Sequence, residues 1–354
     1  MPKYQKGIFS FLIIRLTWYK HQFSLAAGCS VGSVHLPSNP TMSNEPTKLS
    51  VSADTNALPY NRLVESLSVA AGRVKQALLF SSTYLVVIAM AEVATVMLAL
   101  SLPPNPAPVV VGLVTFAVYT GDRLADVDTD ELSNPMQCAF VRRHETVLSV
   151  LSAAAYGLAI AISLLGGPIT LTITLLPGAF WVLYTSEWLP DVGLYFQRLK
   201  AVLVLNSAVV ALAWAVSLVF LPVAFADAAV TPATAVVFVY FFLDSFVNTE
   251  IPNVNDRAAD EAIGVSTLPV AFGVRRTRQI IYGIDLSLVV LVGVAFVDGL
   301  FSTVVTVALL SGLGYALVVA AFVGRTENHT RLAIAGELKS LVVVALVFVL
   351  TTVI

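Results

Sequence analysis

From about Leu79 to Ile354 the chain is a succession of apolar runs, each roughly 16–24 residues, near the length a helix needs to cross a bilayer. They fall near 79–102, 105–120, 146–166, 168–185, 201–222, 229–248, 279–299, 301–323 and 337–354. Lipid offers the backbone no hydrogen bonds, so runs of this length must satisfy their own N–H and C=O groups, and helices do that within one segment. The expected fold is therefore all-α, a polytopic membrane bundle of about nine transmembrane helices. Composition agrees. Hydrophobic residues make up 57% of the 354 and charged residues only 12%, against about a quarter in a soluble domain. So few charges cannot cover a water-soluble globule of this size. A net charge of −2 gives no grip on nucleic acid, and no nucleic-acid partner is expected. Cys29 and Cys138, like His21, His35, His144 and His329, are scattered without metal-ligand spacing, which argues against a zinc site.

The first 78 residues differ. Residues 1–60 read as a disordered or mis-called N-terminal extension, with Ser, Asn, Pro and Thr clustered over 38–56. Either translation starts at Met42, or the apolar Gly7–Ile14 stretch behind Lys3 and Lys6 belongs to a cleaved leader. Residues 61–78 carry Leu63, Leu67, Val74 and Leu78 at helical spacing and are expected to form an interfacial helix. Residues 79–354 are the membrane domain.

Breaks between the runs alternate in kind. Pro103-Pro104-Asn105-Pro106, Gly166-Gly167-Pro168, the stretch around Asp227, and Asp298-Gly299 are short and nearly uncharged; 121–145, 186–200, 249–278 and 324–338 are long and charged. With the N-terminal segment in the cytoplasm, every long connection and all 20 Lys and Arg residues, Lys339 included, fall on the cytoplasmic side, as the positive-inside rule asks. The C-terminus is then expected outside a cell membrane crossed many times.

Two of the long connections share a core. One reads Gly121-Asp122-Arg123-Leu124-Ala125-Asp126-Val127-Asp128-Thr129-Asp130, the other Asn253-Val254-Asn255-Asp256-Arg257-Ala258-Ala259-Asp260, and both contain Asp-Arg-x-Ala-Asp. Each follows an even-numbered span, so the pair reads as an internal repeat on one membrane face. On a helix Asp122, Asp126 and Asp130 form one stripe turning by about 40° per step; Asp256 and Asp260 are likewise one turn apart. Asp128 and Glu131 lie off the stripe and are expected to face solvent. Clustered carboxylates need positive charge, and hard oxygen donors in an incomplete cage suit Mg2+ shared with a phosphate ligand. A diphosphate with a long apolar tail fits: its head on the ions, with Arg123, Arg257, Lys200 and Arg198 as basic partners, and its tail in the bundle. Tyr119, Tyr184 and Tyr240 are aromatic candidates for shielding an allylic carbocation. Acids inside spans are costly. Glu92 is expected either to function or to be protonated and hydrogen-bonded to another helix, Asp244 either to reach the site or to be structural, and Asp285 to be structural.

These residues resemble the UbiA superfamily of intramembrane prenyltransferases. The first motif of that family has Asn or Asp followed by Asp four and eight residues on, matched by Asp122, Asp126 and Asp130. The second is matched by Asn253, Asp256, Asp260, Gly264 and Thr267-Leu268-Pro269-Val270, ending at Phe272-Gly273. The resemblance covers roughly residues 79–354. It implies Mg2+ held by Asp122, Asp126, Asp130, Asn253, Asp256 and Asp260, a polyprenyl diphosphate donor and a lipid-soluble acceptor. It also implies that Tyr184, Lys200 and Asn206 contact the diphosphate. Asp122 stands where Asn is common and Asn253 where Asp is common, which keeps oxygen ligands at both positions. The Arg-Pro pair frequent before the first helix is replaced by Gly72-Arg73-Val74-Lys75, which leaves the acceptor open among a quinone precursor, an ether lipid, a carotenoid, a chlorin or haem.

Three other readings compete, one of them a catalytically inactive relative or an assembly factor. A CDP-alcohol phosphotransferase needs Asp-Gly and Ala-Arg elements that neither loop has. A cation transporter predicts acids deep within paired broken helices, whereas most acids here sit at loop edges.

Overall fold

The computed structural model describes residues 59–128, 134–185, 205–326 and 328–353. Every regular element among them is a helix: α1 Pro59–Phe80, α2 Thr83–Ala99, α3 Ala107–Ala125, α4 Pro135–Leu165, α5 Pro168–Thr185, α6 Leu205–Phe225, α7 Pro232–Ile263, α8 Leu268–Val297, α9 Thr303–Phe322, α10 His329–Glu337 and α11 Lys339–Val353. Residues 1–58, with both readings of the leader, lie outside the described residues, as do Asp130, Glu131, Arg198 and Lys200.

Local chemistry sets the boundaries. Pro135, Pro168 and Pro232 open α4, α5 and α7, where a missing N–H costs nothing. At α7 a capping box adds to this: Thr234 N–H donates to Thr231 Oγ1 at 3.3 Å, and Thr231 N–H to Thr234 Oγ1 at 3.1 Å. Ser302 caps α9 through Val305 N–H. Prolines inside α5, α6 and α7 (Pro177, Pro222, Pro252) are tolerated, as is common in membrane helices whose neighbours supply partners. Asn105 Nδ2 also donates to the Pro222 carbonyl at 3.2 Å, which ties the connection before α3 to α6.

Helices adjacent in sequence pack together from α2 to α9; α11 then packs on both α9 and α2, closing a ring of apolar helices. Inside it lie Val93, Val96, Val110, Val111, Val114, Leu218, Leu288 and Leu313, all buried. Outside, α4 exposes Val147, Leu151, Leu158 and Leu165, and α8 exposes Leu286, Val290, Val294 and Val297. Exposed aliphatic stripes of this length are tolerable against lipid, not water. Glycines bring helices close: a Cβ at Gly312 of α9 would collide with Val343 of α11, and one at Gly178 of α5 with Tyr156 of α4.

Among the described residues seven helices are long and apolar enough to cross a membrane, or eight when α1 and α2, bent by 65° at Ser81-Ser82, count as one span; α5 is a shorter apolar helix. Each of the expected runs corresponds to a helix, but the polar connections are shorter than hydropathy suggests. α7 continues to Ile263 and α8 begins at Leu268, so most of 249–278 is helix, broken at Gly273 (φ 75°, ψ 158°). Helices do not stop where apolarity stops: Arg257-Ala258-Ala259-Asp260-Glu261-Ala262 is polar yet rich in helix formers. The first acidic stripe goes the other way. α3 ends at Ala125 and Asp126 is already its C-cap, so the expected helical Asp122–Asp130 stripe stops after its first step.

Lys339 is the largest departure. It was expected at the edge of the charged 324–338 connection, on the cytoplasmic side, yet it is 2% exposed and ion-paired with Asp244 of α7 inside the ring. α7 delivers a carboxylate to the Lys339 ammonium, a partner that no hydropathy window can register.

Candidate active site

The two acidic motifs sit on helix ends. Asp122 lies in the last turn of α3, half-buried, and the Asp126 N–H donates to its carbonyl at 2.9 Å. Gly121 allows α5 to approach, because a Cβ there would meet the Trp181 ring at 3.2 Å. One turn deeper, Tyr119 stacks on Trp214 of α6, centroids 5.7 Å apart and planes inclined by 14°. These two rings form an aromatic wall beneath Asp122. Arg123 is half-buried beside it. Asp128 is exposed and pairs with Arg142 at 2.9 Å, which takes it out of the cluster as expected.

On α7, Asn253 and Asp260 are seven residues apart and share a face; Asp256 neighbours both. The residues after them have plain structural tasks. Gly264 takes the left-handed conformation (φ 74°, ψ 22°) that ends the helix, and Val265 N–H reaches back to the Asp260 carbonyl at 2.9 Å. The chain is thereby turned so that Thr267 Oγ1 donates to Asp260 Oδ2 at 3.3 Å and Leu268 N–H donates to Glu250 Oε2 at 3.2 Å. Burial pushes the Asp260 carboxyl up to about 6, against the Thr267 hydrogen bond and with help from the neighbouring Asp256 and Glu250 charges. Arg257 is exposed.

Both motifs lie at one end of the ring. Tyr84, at the start of α2, is within electrostatic reach of Arg123 and of Glu337 at the end of α10; Tyr119 is within reach of Asp122 and of the same Glu337. Gly336, next to Glu337, packs on Ile251 and Asn248 of α7, just below Asn253. The short α10 therefore packs on α7 just below the second motif and carries Glu337 within electrostatic reach of Tyr84 and Tyr119. Tyr184 and Asn206 fall at helix ends whose side chains lie outside the described set, and Asp130 and Lys200 lie outside it altogether.

A second polar group sits deeper. Asp244 is nine residues before Asn253, about 14 Å along the helix at 1.5 Å per residue. Lys339 bonds to it; Ser340 donates to Glu92 Oε1 at 3.0 Å, joining α11 to α2; and Asp285 is 1% exposed with neither oxygen hydrogen-bonded. Glu92 is thus the acid bonded to another helix, the second of its two expected readings. Asp244 does not reach the motifs, being held by Lys339. Tyr240 lines a small cavity with Thr95, Asp244, Lys339 and Ser340, so it belongs to this deeper group and not to the mouth. The sequence reading passed over Glu250, Ser207 and Glu337, and it misplaced Lys339. A lysine inside the apolar span Arg331–Thr352, with acids inside three other spans, was the available signal.

The donor set at the mouth consists of hard oxygens only. Among the described residues no three His, Cys, Asp or Glu side chains converge into a closed metal cage. Mg2+ does not ask for one, since it keeps waters and shares its shell with phosphate oxygens. Burial is what chiefly raises the Asp260 carboxyl, a cost to its charged form that a cation beside it would offset, so the residues fit that ion.

Residues 107–340 match the family model described as the UbiA prenyltransferase family. Among solved structures, the chain is similar to an apo UbiA homolog from Aeropyrum pernix K1, with a TM-score of 0.57 and 16% identity over 78% of this chain and 98% of that one. It is also similar to a UbiA homolog from Archaeoglobus fulgidus bound to GPP and Mg2+, at TM-score 0.56 and 16% identity, covering 77% and 98%. Digeranylgeranylglyceryl phosphate synthase gives 0.51 and 13%, covering 78% and 98%. At these identities the likeness is one of fold. No curated protein matches the chain at a significant level.

Proposed function

The chain belongs to the UbiA prenyltransferase family, and from that premise we propose that it transfers a polyprenyl group from its diphosphate to a lipid-soluble acceptor within a cell membrane. The observation that carries this is the pair of acidic motifs on the ends of α3 and α7, gathered at one end of a closed helix ring. DMAPP or GPP together with Mg2+ occupies solved UbiA homologs of the same fold.

In this reading Asp122, Asp126, Asn253, Asp256 and Asp260, with Asp130, would hold Mg2+, which would supply positive charge against the departing pyrophosphate. Arg123, Arg257 and Lys200 bind the diphosphate oxygens, with Tyr184 and Asn206 beside them. The allylic C–O bond breaks with its electron pair leaving on the pyrophosphate, and the acceptor closes the new bond to the cation while losing a proton. The stacked Tyr119 and Trp214 rings shield the cation and offer it π density. The apolar lining of the ring keeps water from capturing it. Lys and Arg placement in the sequence supports an N-terminal segment and an acidic mouth on the cytoplasmic side, about nine crossings and a C-terminus outside. The deep acids do not favour a cation transporter, because Asp244 already has Lys339 as its counter-ion.

Purified protein with Mg2+, a prenyl diphosphate and its acceptor should release pyrophosphate. Asp126→Ala and Asp260→Ala should each abolish release while the protein still inserts and purifies as a folded bundle. Full activity in both variants would overturn the assignment.

A further inference from the structure

Glu250 is fully buried, 0% exposed, one turn below Asn253 on α7. Three donors from three helices converge around its carboxylate. Leu268 N–H, at the start of α8, donates to Oε2 at 3.2 Å. The Ser207 hydroxyl of α6 and the Asn253 amide lie within hydrogen-bonding reach, although Oε1 makes no bond of full geometry. Asn253 Nδ2 in turn donates toward Ser207 Oγ at 3.5 Å.

We propose that Glu250 is a positioning residue that fixes the Asn253 amide with its nitrogen toward α6 and its oxygen toward the diphosphate mouth. The inference rests on the prenyl-transfer reading, in which Asn253 gives an oxygen to Mg2+. An Asn amide has a donor end and an acceptor end that differ little in shape, so its surroundings decide which way it faces. With Leu268 N–H donating to Oε2 and the Ser207 hydroxyl and Asn253 amide within reach, the Glu250 carboxylate is placed as the acceptor of all three. A hydrogen-bond chain that ends on Glu250 must therefore run one way, from the Asn253 NH2 to the Ser207 oxygen and from the Ser207 hydrogen to Glu250. The start of α8 favours the negative charge, because helix N-termini carry exposed N–H groups and the positive end of the dipole. This arrangement accounts for an amide at a position where the family commonly has a carboxylate: Asp at 253 would set a second acceptor against Glu250.

The test measures Mg2+ binding, not turnover. The purified protein in detergent, with geranyl diphosphate present and no acceptor, is titrated with Mg2+, and the midpoint of its thermal stabilisation is read. Glu250→Gln lets the chain reverse, since a Gln amide can donate to Ser207, and should raise the Mg2+ midpoint about 10-fold or more, the usual effect of losing an outer-shell partner. Ser207→Ala cuts the chain without touching Glu250; it should raise the midpoint while leaving the Mg2+-free melting temperature near that of the unaltered protein. Asn253→Asp should bind Mg2+ poorly alone and regain affinity when combined with Glu250→Gln. Unchanged midpoints in Glu250→Gln and Ser207→Ala, or equal Mg2+ affinity of Asn253→Asp with and without Glu250→Gln, would overturn the positioning role alone. No Mg2+ effect in the unaltered protein would overturn the proposed function itself and this role with it.

Discussion

Replacing Lys339 by methionine removes an ammonium from a group of buried acids. Lys339 is 2% exposed and Asp244 1%, so neither regains water when its partner is lost. Asp285, also 1% exposed, and Glu92, bonded to Ser340, are close enough to interact with the pair. Methionine matches the lysine stem in length and keeps the packing, so the loss is electrostatic. Removing one partner of a buried pair costs about 3–5 kcal/mol, chiefly because the other charge is stranded. An ordinary interhelical hydrogen bond in a membrane averages only about 0.6 kcal/mol. Ser340→Ala, which removes the bond to Glu92, should therefore cost several-fold less than Lys339→Met. The double variant Lys339→Met with Asp244→Leu should recover most of the loss, because no charge of the pair remains to be stranded. Unfolding by SDS in mixed micelles, followed by tryptophan fluorescence, gives all three numbers and the coupling between the two sites. A Lys339→Met protein within about 1 kcal/mol of the unaltered one, or a double variant with the simple sum of both losses, would refute the argument from stranded charge.

Further outcomes follow from the same geometry. Because burial raises Asp260 from 3.8 to about 6, the folded, metal-free protein holds a proton between about pH 4 and 6 that the unfolded chain has already lost. Its contribution to stability is full below about pH 4 and is lost as pH rises through about 6; Asp260→Asn should remove that slope from melting temperatures measured in EDTA. Mg2+ needs the ionised form, so its midpoint should rise as pH falls below about 6, and this too should vanish in Asp260→Asn. Gly312→Ala should cost roughly 1–3 kcal/mol by forcing α9 off Val343, whereas Gly283→Ala, with open space around it, should be neutral or mildly stabilising in the same unfolding assay.

Much of this was legible in the chain. Run length alone dictates membrane helices, because lipid leaves the backbone no other way to satisfy itself, and each expected run corresponds to a helix. The second motif was also readable in register: Gly264 ends α7, Thr267 bonds to Asp260 and Leu268 bonds to Glu250, all short-range consequences of residues within one stretch. The first motif was less so. Asp122 to Asp130 has helical spacing, yet α3 stops at Ala125, since spacing permits a helix without requiring one.

The order of residues along the chain determined helices, their punctuation by proline and glycine, and the acidic pairs that mark the mouth. Only packing decided that Lys339 is an interior residue, that Glu92 bonds to α11, that Glu250 stands under Asn253 among three helices, and that α11 closes on α2. Those facts depend on side chains up to 248 positions apart meeting across the ring. A buried charge is stable only when a distant helix delivers its partner, and that delivery is a property of the assembled bundle.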